Sequence, residues 1–258
     1  MSQIHQTAIV SPKAQLGNNV KIGPFAIIND DVAIGDDTEI QSHAVLYDGA
    51  RIGNRVKIFQ SAVISNVPQD LKFKDEKTYV KIGDDTVIRE FATLHRATHD
   101  GGSTIVGKNC LVMAYVHVAH DCIVGDNVIM ANCVQLAGHV EVEDHVIIGG
   151  ITAVHQFSRI GKHSMIGAAA KIASDIPPYV MAAGNPAKFS GINSIGLRRR
   201  GFSADQISTI KNIYKTFYNS GLNFSQAKER VKNEFADNEI AEDIINFMNK
   251  TTRTILTK

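Results

Sequence analysis

The sequence has little of what marks several large classes of protein. Its formal net charge is only +1, which gives no general attraction to nucleic acid or to an anionic membrane. No apolar run approaches the roughly 20 residues that a membrane-spanning helix needs. There are only three cysteines, and Cys110 and Cys122 each stand two residues before an apolar residue of the repeat described below, a position that otherwise holds small or β-branched residues. We therefore expect core-filling thiols rather than disulfides, and a reducing compartment such as the cytoplasm.

What the sequence does contain is a repeat of six residues. Every sixth residue from Ile4 to Ile172 is bulky and apolar, except Asp70, Glu76 and Asp100. Glycine often follows the apolar residue, which suits a corner with positive φ or a close backbone approach. Such a repeat is typical of a parallel β-helix in which three hexapeptides form one coil and successive coils stack about 4.8 Å apart. Because the repeat starts at Ile4, we expect no signal peptide before it.

The repeat is interrupted twice, near residues 65–79 and near residues 97–103, and its phase is kept both times. Insertions into a solenoid usually lie on one face, which is often the binding face. We therefore expect both insertions to contribute to a functional surface.

The pattern changes at the C-terminal end of the chain. Three prolines after Ile172 (Pro177, Pro178 and Pro186) predict that the coiling stops there. From Ser203 onward the apolar residues follow helical spacing, with Ser203 as a helix N-cap and Gly221 as a stop. The expected fold is an all-β solenoid over residues 1–190, followed by a small α-helical domain over residues 191–258.

Four histidines between Met113 and Phe157 come together once the period of the coil is applied. His117, His120, His139 and His155 fall on one edge of the prism, on successive coils. A neutral imidazole is the natural proton acceptor at neutral pH, so this edge is the candidate site. By the same residue count, His95 lies on a different edge of the prism, and the sequence does not decide its role. The remaining histidines are expected to have no role: His5, His43, His99, His145 and His163.

Several stretches together closely resemble the UDP-N-acetylglucosamine acyltransferase family: HVAHDCIVGDNVIMANCVQLAGHVEVEDHVIIGGITAVHQF, NVPQDLKF, IREFATLHRAT and GINSIGLRRRGFS. The resemblance implies a cytoplasmic homotrimer of left-handed β-helices with active sites between subunits. The implied reaction moves a 3-hydroxyacyl group from acyl carrier protein to the 3-hydroxyl of UDP-N-acetylglucosamine, the first step of lipid A biosynthesis. The period alone does not give the handedness, since parallel crossovers are normally right-handed.

The resemblance also implies a role for particular residues. His120 would be the general base, Asp121 would orient it, and the backbone N–H of Gly138 would face the thioester oxyanion. No cofactor and no metal are expected, because a thioester is already activated. The residues expected to bind substrate are Asp70, Lys72, His117, His139, His155, Gln156, Asn193, Arg199 and Arg200.

The chain departs from the family pattern at two positions. Ile195 stands where the family often has a glutamate, which removes one polar contact expected for the nucleotide. Ala168 stands where the best-known member has a glycine at the end of the acyl groove. We hypothesise that the Ala168 methyl group shortens that groove, so that the preferred acyl chain is shorter than in that member.

Three alternatives remain open on the sequence alone. The acceptor could carry a 3-amino group, so that an amide forms instead of an ester. The chain could be a trimeric carbonic anhydrase of the hexapeptide class, in which His117 and His120 would help to hold zinc. A purely structural solenoid would tolerate the loss of His120 without consequence.

Overall fold

The computed structural model describes residues 2–251 and 253–258 and is a three-sided parallel β-helix followed by four helices. The first sheet contains β1 (Gln3–Ile4), β4 (Lys21–Ile22), β7 (Glu39–Ile40), β10 (Lys57–Ile58), β13 (Val87–Ile88), β16 (Leu111–Val112), β19 (Ile129–Met130), β22 (Ile147–Ile148), β25 (Met165–Ile166), β27 (Val180–Ala183) and β28 (Lys188–Ile192). The second sheet contains β2 (Ile9–Val10), β5 (Ile27–Ile28), β8 (Val45–Leu46), β11 (Val63–Asn66), β14 (Thr93–His95), β17 (His117–Val118), β20 (Gln135–Leu136), β23 (Ala153–Val154) and β26 (Lys171–Ile172). The third sheet contains β3 (Gln15–Leu16), β6 (Ala33–Ile34), β9 (Ala50–Ile52), β12 (Tyr79–Ile82), β15 (Ser103–Val106), β18 (Ile123–Val124), β21 (Glu141–Val142) and β24 (Arg159–Ile160).

The hexapeptide period produces this prism because one aliphatic side chain per strand points into the tube. Ile28, Leu46 and Ile64 stack in register along the second sheet and are almost fully buried. Stacked aliphatic side chains fill a narrow tube without voids, so each coil stabilises its neighbours. Corner glycines allow close backbone approach: a Cβ on Gly35 would lie 2.6 Å from the carbonyl carbon of Gly53.

We name each edge of the prism after one residue. The Phe91 edge joins the first and second sheets, the His120 edge joins the second and third, and the His163 edge joins the third and first. Both insertions connect a strand of the second sheet to a strand of the third, β11 to β12 and β14 to β15. They therefore emerge at the His120 edge, and they contact each other through a hydrogen bond from Gly101 N to Lys77 O of 2.9 Å.

The coil does not stop at the prolines, contrary to the sequence prediction. β27 follows Pro177 and Pro178 and pairs in parallel with β25, and β28 then adds an antiparallel strand to β27. A proline that precedes a strand removes no hydrogen bond from the ladder, so the sheet can gain one more strand there.

Four helices follow the last strand: α1 (Ser194–Arg199), α2 (Ala204–Asn219), α3 (Phe224–Glu234) and α4 (Glu239–Asn249). Ser203 caps α2, as the sequence predicted, and it also forms a capping box with Gln206. The helices are fixed to the end of the prism by contacts such as the hydrogen bond from Tyr214 Oη to Pro178 O (2.6 Å). Among the described residues, no helix is long and apolar enough to cross a membrane.

Candidate active site

Three successive coils place functional side chains at the His120 edge. His120 and Asp121 stand at the corner of one coil, Gly138 and His139 at the corner of the next, and Gln156 at the corner of the third. The ladder of corner hydrogen bonds fixes this stacking, because His139 N donates to His120 O at 3.1 Å. Residues distant in the sequence thus become neighbours, as the period predicted.

His120 and Asp121 form a hydrogen-bonded pair. His120 Nδ1 lies 2.8 Å from Asp121 Oδ2, and the two side chains are 14% and 5% exposed. Burial raises the pKa of Asp121, but hydrogen bonds from Thr98 and His120 outweigh burial and lower the pKa overall. The carboxylate is therefore ionised and accepts, so Nδ1 carries the hydrogen and Nε2 has a free lone pair.

Two residues that the sequence did not identify hold the same carboxylate. Thr98 donates to Asp121 from its hydroxyl (2.7 Å) and from its backbone N–H (3.2 Å). His99 Nδ1 lies 3.2 Å from Asp121 Oδ1, and its ring covers Gly102, where a Cβ would lie 2.6 Å from His99 Cε1. His99 was expected to have no role; the second insertion folds back over the His120 edge and places its ring against Asp121.

Gly138 lies directly beneath the His120 ring. A Cβ on Gly138 would lie 2.5 Å from His120 Cε1 and 2.8 Å from Nε2, so any residue larger than glycine would displace the His120 ring. At the His163 edge, the corresponding backbone N–H groups of Asn18, Asp36 and Asp126 donate to an Oδ1 atom one coil further on. None of the described residues accepts a hydrogen bond from Gly138 N. The N–H group of Gly138, a buried residue, therefore has no partner among the described residues.

His95 belongs to this edge, which corrects its assignment to a different one. Its ring meets that of His117 edge-on, with centroids 4.8 Å apart. The edge was predicted by counting residues in coils of three hexapeptides, and the second insertion makes one coil longer than that. Strand β14 therefore pairs with β17 at a separation of 24 residues, as in Thr93↔His117. Burial, followed by the charges of His117 and His120, lowers the pKa of His95 to about 4, so this imidazole is neutral at pH 7.

The other residues predicted for this edge also lie on it. Thr93 Oγ1 hydrogen-bonds His117 Nδ1 at 2.7 Å, and burial lowers the pKa of His117. The His139 ring stacks on Phe157 with centroids 4.6 Å apart. His155 and Gln156 are exposed.

Asp70 and Lys72 lie in the first insertion, which emerges at the same edge. The backbone N–H of Lys72 donates to Asp70 Oδ1 at 2.9 Å, and the Lys72 side chain is exposed. Asp70 and Lys72 are therefore a carboxylate and an ammonium group close together on the insertion that leaves the prism at this edge.

The remaining predicted residues do not join the His120 edge within one chain. Asn193 caps α1 and donates from Nδ2 to His163 O (2.9 Å), which places it at the His163 edge. Arg199 is the last residue of the same short helix, and Arg200 is its C-cap. Ile195 is 63% exposed in the first turn of α1. Ala168 is exposed at the Phe91 edge, one coil beyond Gly149 and Gly150. A single chain thus distributes these residues over all three edges.

Two protein-family models match this chain and define its class. A family model described as bacterial transferase hexapeptide (six repeats) matches residues 13–48 and 103–138, and a model described as UDP N-acetylglucosamine O-acyltransferase, domain 2, matches residues 175–256. The fold is that of a hexapeptide-repeat transferase. An acyl-[acyl-carrier-protein]–UDP-N-acetylglucosamine O-acyltransferase of Paraburkholderia phymatum is 48% identical over 99% of this chain and 100% of its own length. The chain belongs to the UDP-N-acetylglucosamine O-acyltransferase family.

Solved structures agree with this assignment. The UDP-N-acetylglucosamine acyltransferase of Francisella novicida superposes with a TM-score of 0.97 at 39% identity, covering 99% of this chain and 94% of that one. The enzyme from Bacteroides fragilis gives a TM-score of 0.96 at 44% identity, covering 98% and 100%. The fold class is confirmed, including the left-handed coil, and family membership favours acyl transfer over carbonic anhydrase activity.

Proposed function

We propose that this chain transfers a 3-hydroxyacyl group from acyl carrier protein to the 3-hydroxyl of UDP-N-acetylglucosamine, the first step of lipid A biosynthesis, in the cytoplasm. The observation that carries the proposal is the His120–Asp121 pair, whose free Nε2 faces the space above Gly138. The names of the relatives support the substrate classes, and the geometry of the pair supports His120 as the base.

In this mechanism His120 is the general base. Its Nε2 accepts the proton of the sugar 3-hydroxyl while the hydroxyl oxygen attacks the thioester carbonyl carbon. The carbon–sulfur bond then breaks, and the proton passes from the imidazolium to the departing thiolate of the carrier. Asp121, held ionised by Thr98, stabilises the positive imidazolium while it exists.

Gly138 supplies the donor for the oxyanion. Its backbone N–H has no acceptor among the described residues and lies beside the His120 ring. A preorganised donor of this kind contributes roughly 2.7–4 kcal/mol to stabilisation of the transition state. The aliphatic ladder of the coil fixes the donor before the substrate binds, so no reorganisation is needed during the reaction.

The other residues would bind the substrates. We assign the sugar and phosphate contacts to His117, His139, His155 and Gln156, and the acceptor and acyl contacts to Asp70 and Lys72. Asn193, Arg199 and Arg200 would hold the nucleotide. Burial lowers the pKa of Arg200. Its buried Nη1 has no hydrogen-bond partner among the described residues, as expected for a cation whose partner is an anionic ligand. Because these residues lie on different edges, we propose a homotrimer with sites between neighbouring subunits.

Ala168 would set the length of the acyl chain. Its exposed methyl group at the Phe91 edge would reduce the depth of a groove that a neighbouring subunit closes. We expect a preference for shorter 3-hydroxyacyl chains, and Ala168→Gly should shift the preference toward longer ones. Mass spectrometry of the products from a mixture of acyl donors measures this. A wild-type preference for the longest chains would reject the hypothesis.

Incubation of 3-hydroxyacyl carrier protein with radiolabelled UDP-N-acetylglucosamine tests the proposal. We expect one acylated nucleotide sugar per free carrier thiol, with an ester that mild base cleaves. The same assay with a 3-amino nucleotide sugar decides between the two acceptors. Exclusive turnover of the amino sugar would make the chain an N-acyltransferase, and no turnover of either acceptor would refute the proposal.

A further inference from the structure

The side chains of His120, Asp121 and His139 form a compact group of potential metal ligands. One ligand atom from each lies within 4.8 Å of the other two, and no other group of three such residues occurs within residues 2–251 and 253–258. Asp121 Oδ2 lies 2.8 Å from His120 Nδ1 and 3.7 Å from His139 Nε2. Two ligands of a tetrahedral zinc ion are about 3.4 Å apart, a spacing that lies between these two separations.

We propose that this group binds one Zn²⁺ ion per chain and that the bound ion switches off the base. Two imidazole nitrogens and one carboxylate oxygen are the ligands of many open zinc sites, and the fourth position would be filled by water. The His139 side chain is 38% exposed, so the ion can reach the ligands from solvent. His139 is already oriented, because its ring stacks on Phe157 at 4.6 Å.

Inhibition follows from the chemistry of the His120 ring and rests on the proposed function. Without metal, Nδ1–H donates to Asp121, and the lone pair of Nε2 is free to accept a proton. Zinc at Nδ1 occupies that nitrogen, so the neutral ring carries its hydrogen on Nε2 instead. A protonated Nε2 cannot accept the proton of the sugar hydroxyl, and Asp121 is also withdrawn to the ion. Bound zinc therefore inhibits without entering the reaction.

Binding is measured first, because it does not depend on any activity. Metal-free protein is titrated with CoCl₂, and the visible absorption of four-coordinate cobalt is recorded. We expect saturation at one cobalt per chain, followed by displacement by ZnCl₂. His139→Asn, which keeps a residue tolerant of the positive φ at this corner, should weaken cobalt binding by at least about ten-fold. His43→Asn is the matched control at the Phe91 edge, where the imidazole also has positive φ and stacks on Phe25.

Inhibition is measured next in the acyl-transfer assay. ZnCl₂ should stop transfer by the wild type and by His43→Asn over the range in which the ion binds, and a chelator should restore it. For His139→Asn, compared with its own metal-free rate, inhibition should need at least about ten times more zinc. Cobalt absorption unchanged in His139→Asn would overturn the site, and zinc that binds without slowing transfer would overturn the switch. A metal-free protein without any transfer activity refutes the proposed function instead, and the cobalt titration still tests the site.

Discussion

At the scale of single residues, the proposed role of His120 as a base depends on the hydrogen bonds that Asp121 accepts. Four groups lie within 3.2 Å of its carboxylate oxygens: the hydroxyl and N–H of Thr98, His120 Nδ1 and His99 Nδ1. Burial alone would raise the pKa of Asp121, and the hydrogen bonds reverse the direction. Because the folded-state pKa is lowered, this carboxylate stabilises the fold above its ordinary pKa, and the contribution is lost as the pH falls through the lowered value.

Thr98→Val should impair turnover through this carboxylate. The variant loses the 2.7 Å hydrogen bond and keeps the shape of the side chain and the backbone N–H. A hydrogen bond to a charged group contributes about 1.5–3 kcal/mol, so we expect kcat to fall about ten-fold or more with little change in KM. Thr98→Ser keeps the hydroxyl and is the control. Steady-state kinetics measure the difference, and a kcat for Thr98→Val within two-fold of the control would contradict a positioning role for Thr98.

At the scale of elements, the insertions show what the sequence could predict and what it could not. The six-residue period predicted the coil and the inward aliphatic side chains. Because the period also fixes where each residue lies on the coil, it predicted that His117, His120, His139 and His155 share one edge. The contact of His99 with Asp121 depends on the conformation of a loop with no period, so nothing in the sequence indicated it. His95 was assigned to the wrong edge because the position of an insertion within a coil changes the count for everything after it.

Deletion of residues 97–102 should preserve the coil and reduce activity. β14 and β15 would then be joined at the normal spacing of six residues, so the ladders above and below can continue. Asp121 would lose Thr98 and His99, and kcat should fall by at least about ten-fold. Circular dichroism and thermal unfolding report the fold, and the transfer assay reports the activity. A variant that folds and keeps wild-type kcat would show that the second insertion has no part in the reaction.

At the scale of the whole molecule, the residues proposed to bind substrate occupy three edges of one prism. Those at the His120 edge include the base, those at the His163 edge include Asn193 and Arg200, and Ala168 lies at the Phe91 edge. A rigid tube cannot bring its own edges together, so we propose that neighbouring copies complete one site. This distribution supports the proposed homotrimer.

Two inactive variants should therefore complement each other. His120→Ala removes the base from one edge, and the double variant Arg199→Ala/Arg200→Ala removes the nucleotide contacts from another. In an equal mixture of the two subunits, assembled by joint refolding or co-expression, about one site in four combines two intact edges and should be active. Transfer activity of the mixture measures this. A mixture no more active than its separate parents would show that each site is contained within one subunit.

General-base catalysis by His120 is tested by the single-turnover rate of acyl transfer by His120→Ala. Removal of a general base should slow transfer by about 10²–10⁴-fold, while His43→Ala, on the Phe91 edge, should keep the wild-type rate. If His120→Ala folds and transfers the acyl group within ten-fold of the wild-type rate, His120 is not the base.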